Sequence, residues 1–492
     1  DGNPITPSVN GSRNDWATAG FFGRINYSYD GKYLLEANLR ADGTSRFRKG
    51  NQWKTFPSFS LGWNVAREHF FEPLNNIVNI LKFRASYGLL GNQNTTNWYQ
   101  TYQTMSVGSS NGAWLMNGNK PNTASAPGLV SASLTWETIE SYNLGLDWGV
   151  FNNRLTGSFD WYIRDTKNMV GNAPELPALL GTGVPITNNT DLRTSGWELS
   201  IGWNDRLNNG FTYGAKFNVS DARTKITRYP NNPTKAVSTY IEGRYTNEIW
   251  GYTTVGLAKT DEEMQAHLAT MPNGGQSALG SDWKAGDIMY ADINGDGKIS
   301  GGSGTLNDTG DWTVIGNTTP RYLFGLDLNA SWKGFDLRMF FQGVMKRDFW
   351  QGSTYLFGAS NSGMWHATGI ESVSDYFRND DTWSVQEGYQ SPNLNSYLPR
   401  PLYSNKNLQT QTRYLQSAAY IRLKNLQLGY TFPTRLTSRY GVQNLRIYFS
   451  GENLWTGTSL VDQFDPETIS GGSGGNGYPL SRTLSCGLSV TF

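Results

Sequence analysis

The segment 23–40 reads GRINYSYDGKYLLEANLR. On either side of the Asp30-Gly31 pair, apolar or aromatic residues alternate with charged, amide or hydroxyl residues, which is the two-residue period of a β-strand. An Asp-Gly pair between two such runs is a strong signal for a tight hairpin turn. This stretch therefore predicts two antiparallel strands, each with one apolar and one polar face.

The same alternation continues along the rest of the chain in segments of about ten residues. Together with the opening hairpin, these segments predict about 13 strands. The further apolar faces lie within 59–65, 81–89, 142–148, 155–161, 197–203, 211–219, 322–332, 335–341, 426–432, 445–449 and 484–492. The predicted fold class is therefore all-β, with an antiparallel arrangement.

The connections between these segments fall into two classes that alternate along the chain. The short ones are 30–32, 66–80, 150–154, 204–210, 333–334 and 433–443. The long ones are 42–55, 90–135, 165–195, 221–320, 346–416 and 455–482. Outer-membrane barrels have short periplasmic turns and long extracellular loops, so this two-sided pattern predicts a transmembrane antiparallel β-barrel.

Composition agrees with a polar-lined barrel and excludes several other classes. The 492 residues include 56 glycines, 14% aromatics and a mean hydropathy of −0.51. No run approaches the roughly 20 apolar residues of a membrane helix. The 41 basic and 40 acidic residues nearly balance, which gives nucleic-acid binding no electrostatic support. Cys486 is the only cysteine and cannot form an internal disulfide.

Tryptophans at or near the predicted strand ends fit an interfacial aromatic girdle, and the charged face fits a wet lumen. The girdle residues are Trp63, Trp148, Trp161, Trp203 and Trp332. A soluble β-sandwich is the alternative, but it would leave the charged face without a role. With an odd number of strands, a chain ending in the periplasm starts outside the cell. We therefore expect a C-terminal barrel portion whose residues 1–17 are the remnant of an extracellular loop.

The chain resembles the C-terminal half of SusC/RagA-type TonB-linked outer-membrane proteins, the nutrient importers of Bacteroidetes. The matching blocks include YDGKYLLEANLRADGTSRF (29–47), FPSFSLGWNVAREHFF (56–71), LKFRASYGLLGNQN (81–94), the stretch 134–170, ADINGDGKIS (291–300), the stretch 314–343, AAYIRLKNLQLGYTFP (418–433), FSGENLWTGT (449–458) and YPLSRTLSCGLSVTF (478–492). The blocks follow one another in order over essentially the whole chain.

This resemblance implies a barrel of about 22 strands in outer-membrane lipid, closed by an N-terminal plug. It also implies coupling to TonB through a TonB box. The further partners it implies are a SusD-like lipoprotein that covers the extracellular loops and, in some members, other surface lipoproteins. We expect the plug and the TonB box to lie outside this chain. The implied function is TonB-dependent import of an oligosaccharide or an oligopeptide. A passive porin and a soluble glycan-binding protein are the alternatives.

One motif matches the start of a calcium-binding loop. Asp292, Asn294 and Asp296 occupy its first, third and fifth positions, glycine follows at the sixth, and the backbone carbonyl of Lys298 stands at the seventh. The departure is Ser303 at the twelfth position, where a bidentate carboxylate is usual. A solvated turn rich in Asp and Asn is the alternative interpretation.

Two later carboxylates could replace the missing ligand. Asp311 precedes the V-I-G segment, where the family usually has an Asp soon after the loop, and Asp308 lies within the insertion 301–310. A bound Ca²⁺ would be structural, because it would rigidify the loop 221–320 on which the lid is expected to dock.

Ligand-binding residues are predicted in the long loops, where flat aromatic rings lie beside amide groups. Rings and amides together suit sugars or peptides. The residues are Trp98, Tyr99, Trp350, Tyr355 and Trp365. Packing between loops is the alternative for each of them. No enzyme is predicted, because His69, His267 and His366 are far apart and show no metal-ligand spacing.

The final strand carries a predicted assembly signal. Its apolar alternation includes Val490 and ends on Phe492, with Gly487 inside the strand. A terminal aromatic residue on such a strand resembles the signal that the outer-membrane assembly machinery recognises.

Overall fold

The computed structural model describes residues 9, 11, 13–93, 95, 97–108, 115–177, 179, 181–358, 374–470 and 477–492. Thirteen antiparallel strands form one sheet in which each strand pairs with the next long strand along the chain. In order across the sheet they are β1 Thr18–Tyr29, β2 Tyr33–Thr44, β3 Trp53–Asn64, β4 Val78–Asn92, β7 Glu137–Val150, β8 Leu155–Asn172, β9 Ile186–Arg206, β10 Thr212–Arg228, β15 Arg321–Trp332, β16 Phe335–Lys346, β19 Tyr420–Thr431, β20 Asn444–Thr458 and β21 Thr483–Thr491. The predicted number of strands and their antiparallel order are confirmed.

Eight short strands pair in twos within the connections. They are β5 Val107–Gly108 with β6 Thr123–Ala124, β11 Glu248–Gly251 with β14 Thr313–Asn317, β12 Thr254–Leu257 with β13 Ile288–Tyr290, and β17 Asp348–Trp350 with β18 Leu415–Ser417. The α-helices are α1 Asp261–Ala269, α2 Thr354–Phe357, α3 Trp383–Gln386 and α4 Thr434–Thr437, and 3-10 turns cover Val65–Arg67, His69–Leu74 and Ser438–Tyr440. Within the described ranges, none of these helices has the length and apolar character to cross a membrane.

The opening hairpin forms where the sequence predicts it. Tyr29 lies opposite Tyr33, and the Lys32 N–H donates to the Tyr29 carbonyl at 2.9 Å. Asp30 and Gly31 both adopt positive φ, the conformation that tight hairpin turns need and that Asp and Gly tolerate best.

Strand register brings apolar side chains into continuous rows across the sheet. Leu35 lies opposite Leu61, Leu61 opposite Ala85, Ala85 opposite Leu144, and Leu144 opposite Trp161. Because side chains alternate between the two faces of a strand, this row marks a common apolar face, and the residues between its members form a polar face. We refer to these as the apolar face and the polar face.

Several predicted boundaries are wrong. Residues 165–195 are mostly strand, because β8 and β9 continue beyond the apolar part of the sheet and leave only 173–185 as their connection. Trp161 consequently lies within β8 rather than near its end. The long loop predicted for 221–320 begins after β10, at residue 229. The connection 45–52 is also shorter than 65–77 on the opposite side, so length alone does not separate the two classes of connection.

Three long connections on one side of the sheet pack into a single body, which we call the loop unit. It comprises the described residues of 229–320, 347–419 and 459–482. All three segments contribute to one buried apolar core, with Met264, Ile288 and Tyr290 from the first segment, Phe357 from the second and Phe464 from the third. The loop unit therefore has its own hydrophobic core, separate from the contacts between the strands.

Candidate functional site

A buried carboxylate joins the first two segments of the loop unit. Asp287 is fully buried, and its oxygens accept hydrogen bonds from Arg400 (2.8 Å) and from Asn407 (2.8 Å). The Lys406 ammonium lies 2.9 Å away, and the Lys284 N–H also donates to this carboxylate at 2.9 Å. Two cations with a full set of donors compensate a charge that would be costly to bury alone.

Electrostatics at this centre favour the ionised carboxylate. Burial raises the pKa of Asp287, but the hydrogen bonds from Arg400, Asn407 and Lys406 outweigh that effect and hold the pKa below its ordinary value. Burial lowers the pKa of Lys406, and the contact with Asp287 opposes this effect. The network is therefore a structural ion cluster that depends on all its members.

Side-chain amides and a tyrosine extend the network through the core. Tyr290 donates from its hydroxyl to the Lys406 carbonyl at 2.7 Å, and burial raises its pKa. Gln276 accepts from the Tyr290 N–H at 2.6 Å and donates to the Ile288 carbonyl at 3.0 Å. Gln411 donates to the Asn407 carbonyl at 2.8 Å. Buried polar groups that are fully paired fix one arrangement of the loops.

The calcium-like segment forms a tight loop held by its own side chains. Asp292 accepts from the Gly295 N–H at 2.7 Å and from the Gly297 N–H at 2.8 Å. Asn294 accepts from the Asp296 N–H at 3.0 Å. Gly297, at the sixth position, has φ of +79°, a conformation that favours glycine there. The backbone thus has the turn that a calcium loop requires.

The later carboxylates take different positions. Asp311 accepts from the Ile293 and Ser300 N–H groups, both at 2.8 Å, so it belongs to the same loop. Asp308 accepts from the Ser303 N–H at 2.8 Å in a neighbouring turn. Among the described residues, no three His, Cys, Asp or Glu side chains come together in a group that could hold a metal ion. Calcium binding therefore stays a prediction.

Two predicted ligand-binding aromatics contact the start of the chain. The ring centroid of Trp98 lies 6.2 Å from that of Trp16. The Tyr99 hydroxyl accepts from the Asp15 N–H and donates to the Asp15 carbonyl, both at 2.9 Å. Part of each side chain is thus engaged in packing between segments.

Two further predicted aromatics, Trp350 and Tyr355, belong to the second segment of the loop unit. Trp350 packs against the buried core, with its ring centroid 6.1 Å from that of Phe357. The Tyr355 side chain is exposed. Trp365 lies outside the described residues. The described members of the predicted set thus lie in two separate places, and ligand binding by the set stays a prediction.

A recess lies on the polar face of β1–β4, towards the long-connection side of the sheet. It has a volume of about 870 Å³ and is lined by Arg24, Asn38, Arg40 and Asp42, with Phe56 beneath them. Arg24 donates to Asn38 at 2.7 Å, and Arg40 donates to Asp42 at 2.6 Å. The recess falls in the usual size range of a ligand pocket, and its paired charges suit a polar ligand.

Further along the polar face, one arginine bridges three strands. Arg84 on β4 donates to both carboxylate oxygens of Asp147 on β7 and of Asp160 on β8, at 2.8–2.9 Å. Gly145 lies opposite both Arg84 and Asp160 in register, and a Cβ there would lie 2.6 Å from the guanidinium. The glycine therefore leaves the space in which the arginine crosses β7.

The last strand has the features of the predicted assembly signal. Gly487 lies opposite Tyr448 on β20, and a Cβ at this position would lie 2.1 Å from the Tyr448 ring. Val490 and Phe492 are exposed, as are the other apolar residues of this strand. The glycine thus accommodates the neighbouring ring, and recognition of the strand end stays a prediction.

Comparison with known proteins identifies the barrel. The family model for the TonB dependent receptor-like β-barrel matches residues 1–344. TonB-dependent receptor P3 of Formosa agariphila is 29% identical over 100% of this chain and 47% of its own length. TonB-dependent receptor SusC of Bacteroides thetaiotaomicron is 27% identical over 96% of this chain and 43% of its own length.

A solved structure of the RagAB peptide transporter matches with a TM-score of 0.72 at 23% identity, over 97% of this chain and 48% of that chain. The present chain thus spans about half the length of the relatives it matches. The chain therefore belongs to the TonB-dependent receptor β-barrel family of the outer membrane.

Proposed function

We propose that the complete protein actively imports a bulky nutrient, an oligosaccharide or an oligopeptide, across the outer membrane in a TonB-dependent manner. The observation that carries the proposal is a large recess on the polar face of the 13-stranded sheet, which we call the wall. The packed loop unit lies beyond the strand ends on one side of this wall. In such a receptor the polar face borders the lumen and the loop unit faces the outside of the cell.

The recess, the loop unit and the remainder of the protein would have different roles in import. Arg24, Arg40 and Asp42 would hydrogen-bond a polar cargo at the recess, since their charged groups are the directional donors and acceptors there. The loop unit, fixed by the Asp287 network, would offer a rigid surface to a SusD-like lipoprotein lid. The plug and the TonB box, which supply gating and energy coupling, would come from the remainder of the protein.

The transport proposal is tested by uptake in the native host. Cells that produce the complete receptor should accumulate a labelled oligosaccharide or oligopeptide, and deletion of TonB should abolish that accumulation. Uptake that persists without TonB would instead support a passive channel. Comparing the two cargo classes in the same cells identifies the substrate.

The recess is tested with the double variant Arg24→Gln/Arg40→Gln. We expect this variant to reduce uptake at equal copy number, because two cationic donors are lost from the recess. The matched control is Arg338→Gln, which removes a polar-face arginine paired with Asp327 outside the recess. Equal losses in both variants would argue against a ligand site in the recess.

For the calcium-like loop we propose a structural Ca²⁺ held by Asp292, Asn294 and Asp296. The residue order and the turn at Gly297 support this proposal. Titration of the complete, chelator-treated receptor with Ca²⁺ should give a saturable heat that the variant Asp292→Asn/Asp296→Asn loses. The same heat in wild type and variant would refute the site.

A further inference from the structure

A groove lies on the apolar face of β3, β4, β7 and β8. Its volume is about 450 Å³, and its floor is the small residue Ala85. In register, Ala85 lies between Leu61 on one side and Leu144 on the other. The remaining apolar side chains of its walls are Phe59, Tyr87, Tyr142, Trp161 and Ile163.

In an outer-membrane barrel, this face lies against lipid hydrocarbon. The groove is therefore open to acyl chains and closed to water-soluble partners. Large apolar side chains around a small residue make a depression in which one acyl chain would gain contacts that a smooth surface does not offer. Geometry and surroundings thus agree on a hydrocarbon chain as the occupant.

A polar cluster begins directly at the extracellular end of this groove. The Tyr87 and Tyr142 hydroxyls donate to Glu140 at 3.0 and 2.9 Å, and the Lys167 ammonium pairs with the same carboxylate. The two tyrosines belong to the groove wall, and Glu140 lies two residues before Tyr142 on the same face of β7. The groove therefore ends at charged groups that lie beyond the apolar band.

Cations continue this cluster across the neighbouring strands. Arg193 on β9 pairs with Asp165 on β8 at 2.7 Å, and Lys225 on β10 lies directly opposite Arg193 in register. The side chains of Lys167 and Arg193 are 47% and 51% exposed, so both keep donors available to a ligand. Lys225 is also exposed, and no carboxylate within the described residues forms an ion pair with it.

From this arrangement we infer a binding site for a phosphorylated glycolipid of the outer leaflet, lipid A, with one acyl chain in the Ala85 groove and a phosphate at Lys167 and Arg193. Ammonium and guanidinium groups both recognise phosphate through charge-assisted hydrogen bonds. The cations lie at the extracellular end of the groove, which selects a lipid of the outer leaflet. The inference rests on the barrel family and is independent of the proposed cargo.

The site is tested on the complete receptor, purified in mild detergent and stripped of lipid. Native mass spectrometry would follow the binding of added lipid A, dephosphorylated lipid A and phosphatidylethanolamine. We expect lipid A to bind best and to keep a defined stoichiometry under dilution. Equal binding of all three lipids, or tighter binding of phosphatidylethanolamine, would overturn the inference.

Two variants separate the acyl and phosphate contributions. Ala85→Trp fills the groove and should lower the bound fraction of both forms of lipid A severalfold. Lys167→Gln should abolish the preference for the phosphorylated form, while Glu140 keeps its two tyrosine donors and the fold is retained.

Each variant has a matched control elsewhere on the barrel. Ala330→Trp places the same bulk on the apolar face of β15, outside the groove. Lys333→Gln removes a cation from the turn between β15 and β16, at the opposite end of the apolar band. If either control reproduced the effect of its partner variant, lipid would bind without a specific site, and the inference would fail.

Discussion

At the residue scale, Asp287 holds together two segments that are remote in sequence. Arg400 lies 113 positions away and Asn407 lies 120 positions away, yet both donate to the same fully buried carboxylate. Removing one member of a buried ion cluster leaves the others charged and unpaired, which typically costs about 3–5 kcal/mol. The stability of the loop unit therefore depends strongly on Asp287.

Replacing this carboxylate should loosen the loop unit and leave the wall intact. In the variant Asp287→Asn, Arg400 and Lys406 lose their counter-charge, so we expect amide hydrogen exchange in 229–320 and 347–419 to accelerate by an amount equivalent to about 3–5 kcal/mol. The control Asp282→Asn removes an exposed carboxylate paired with Lys284 and should change little. Faster exchange in the strands would contradict a local role.

The same residue predicts how the loop unit responds to acid. Its pKa in the folded protein lies below the ordinary value of 3.8, so its contribution is fully present above that value and is lost as pH falls through the lower folded-state pKa. Exchange protection of the loop unit should therefore stay level from pH 7 to about 5 and decline only below about 4. A decline already between pH 7 and 5 would contradict this assignment.

At the scale of elements, glycines in the middle of strands allow ion pairs to cross an intervening strand. Arg84 reaches Asp160 over Gly145, and Arg446 on β20 likewise reaches Asp336 on β16 over Gly429, where a Cβ would lie 2.5 Å from both partners. Each pair joins two strands across the strand that lies between them. These bridges stabilise strand order in a wall whose polar face has no second layer within the described residues.

A side chain placed at one of these glycines should destabilise the wall. In the variant Gly145→Val, the new side chain displaces the Arg84 guanidinium from Asp147 and Asp160, and overpacking of this kind costs about 1–3 kcal/mol. We expect a lower thermal midpoint for the complete receptor in detergent. Gly23→Val is the control, because a Cβ at Gly23 has no neighbour within 4 Å. Equal midpoints for the two variants would show that the bridge contributes nothing.

The long strands were predictable because a two-residue period is a local signal that survives without tertiary information. The short strands of the loop unit were not, since three to five residues, as in β13 and β14, carry too little alternation to identify. The outer parts of β8 and β9 were predicted as a loop because 165–168 in β8 and 187–191 in β9 are polar on both faces. Beyond the apolar band, strands no longer need the alternation that identifies them.

Among the site residues, too, only those with a local sequence pattern could be predicted. The calcium-like turn was visible because its ligand spacing is local, whereas the Asp287 network depends on partners more than a hundred positions apart and has no local pattern. The groove at Ala85 was hidden for a related reason: an alanine among large residues on neighbouring strands becomes informative only once the register is known.

At the scale of the whole molecule, the wall and the loop unit are held together by separate sets of contacts. The strands are held by ladder hydrogen bonds and by ion pairs on the polar face, and the loop unit is held by its own apolar cluster and buried charges. The loop unit can therefore stay packed when contacts on the polar face change.

If a plug fills the lumen, the complete protein should be electrically silent. We expect no steady current when purified receptor is inserted into a planar bilayer, because the polar face would contact the plug rather than free water. Removal of the plug should produce stable open-channel conductance. A constant current through the intact protein would favour the porin alternative.

The shared core of the loop unit also limits how such receptors can be recombined. A chimera that took only the segment 229–320 from this protein would inherit the carboxylate of Asp287 without the guanidinium of Arg400 and the ammonium of Lys406. The transplanted loop would then bury a charge with no counter-ion. The first two segments of the loop unit are therefore exchangeable only together.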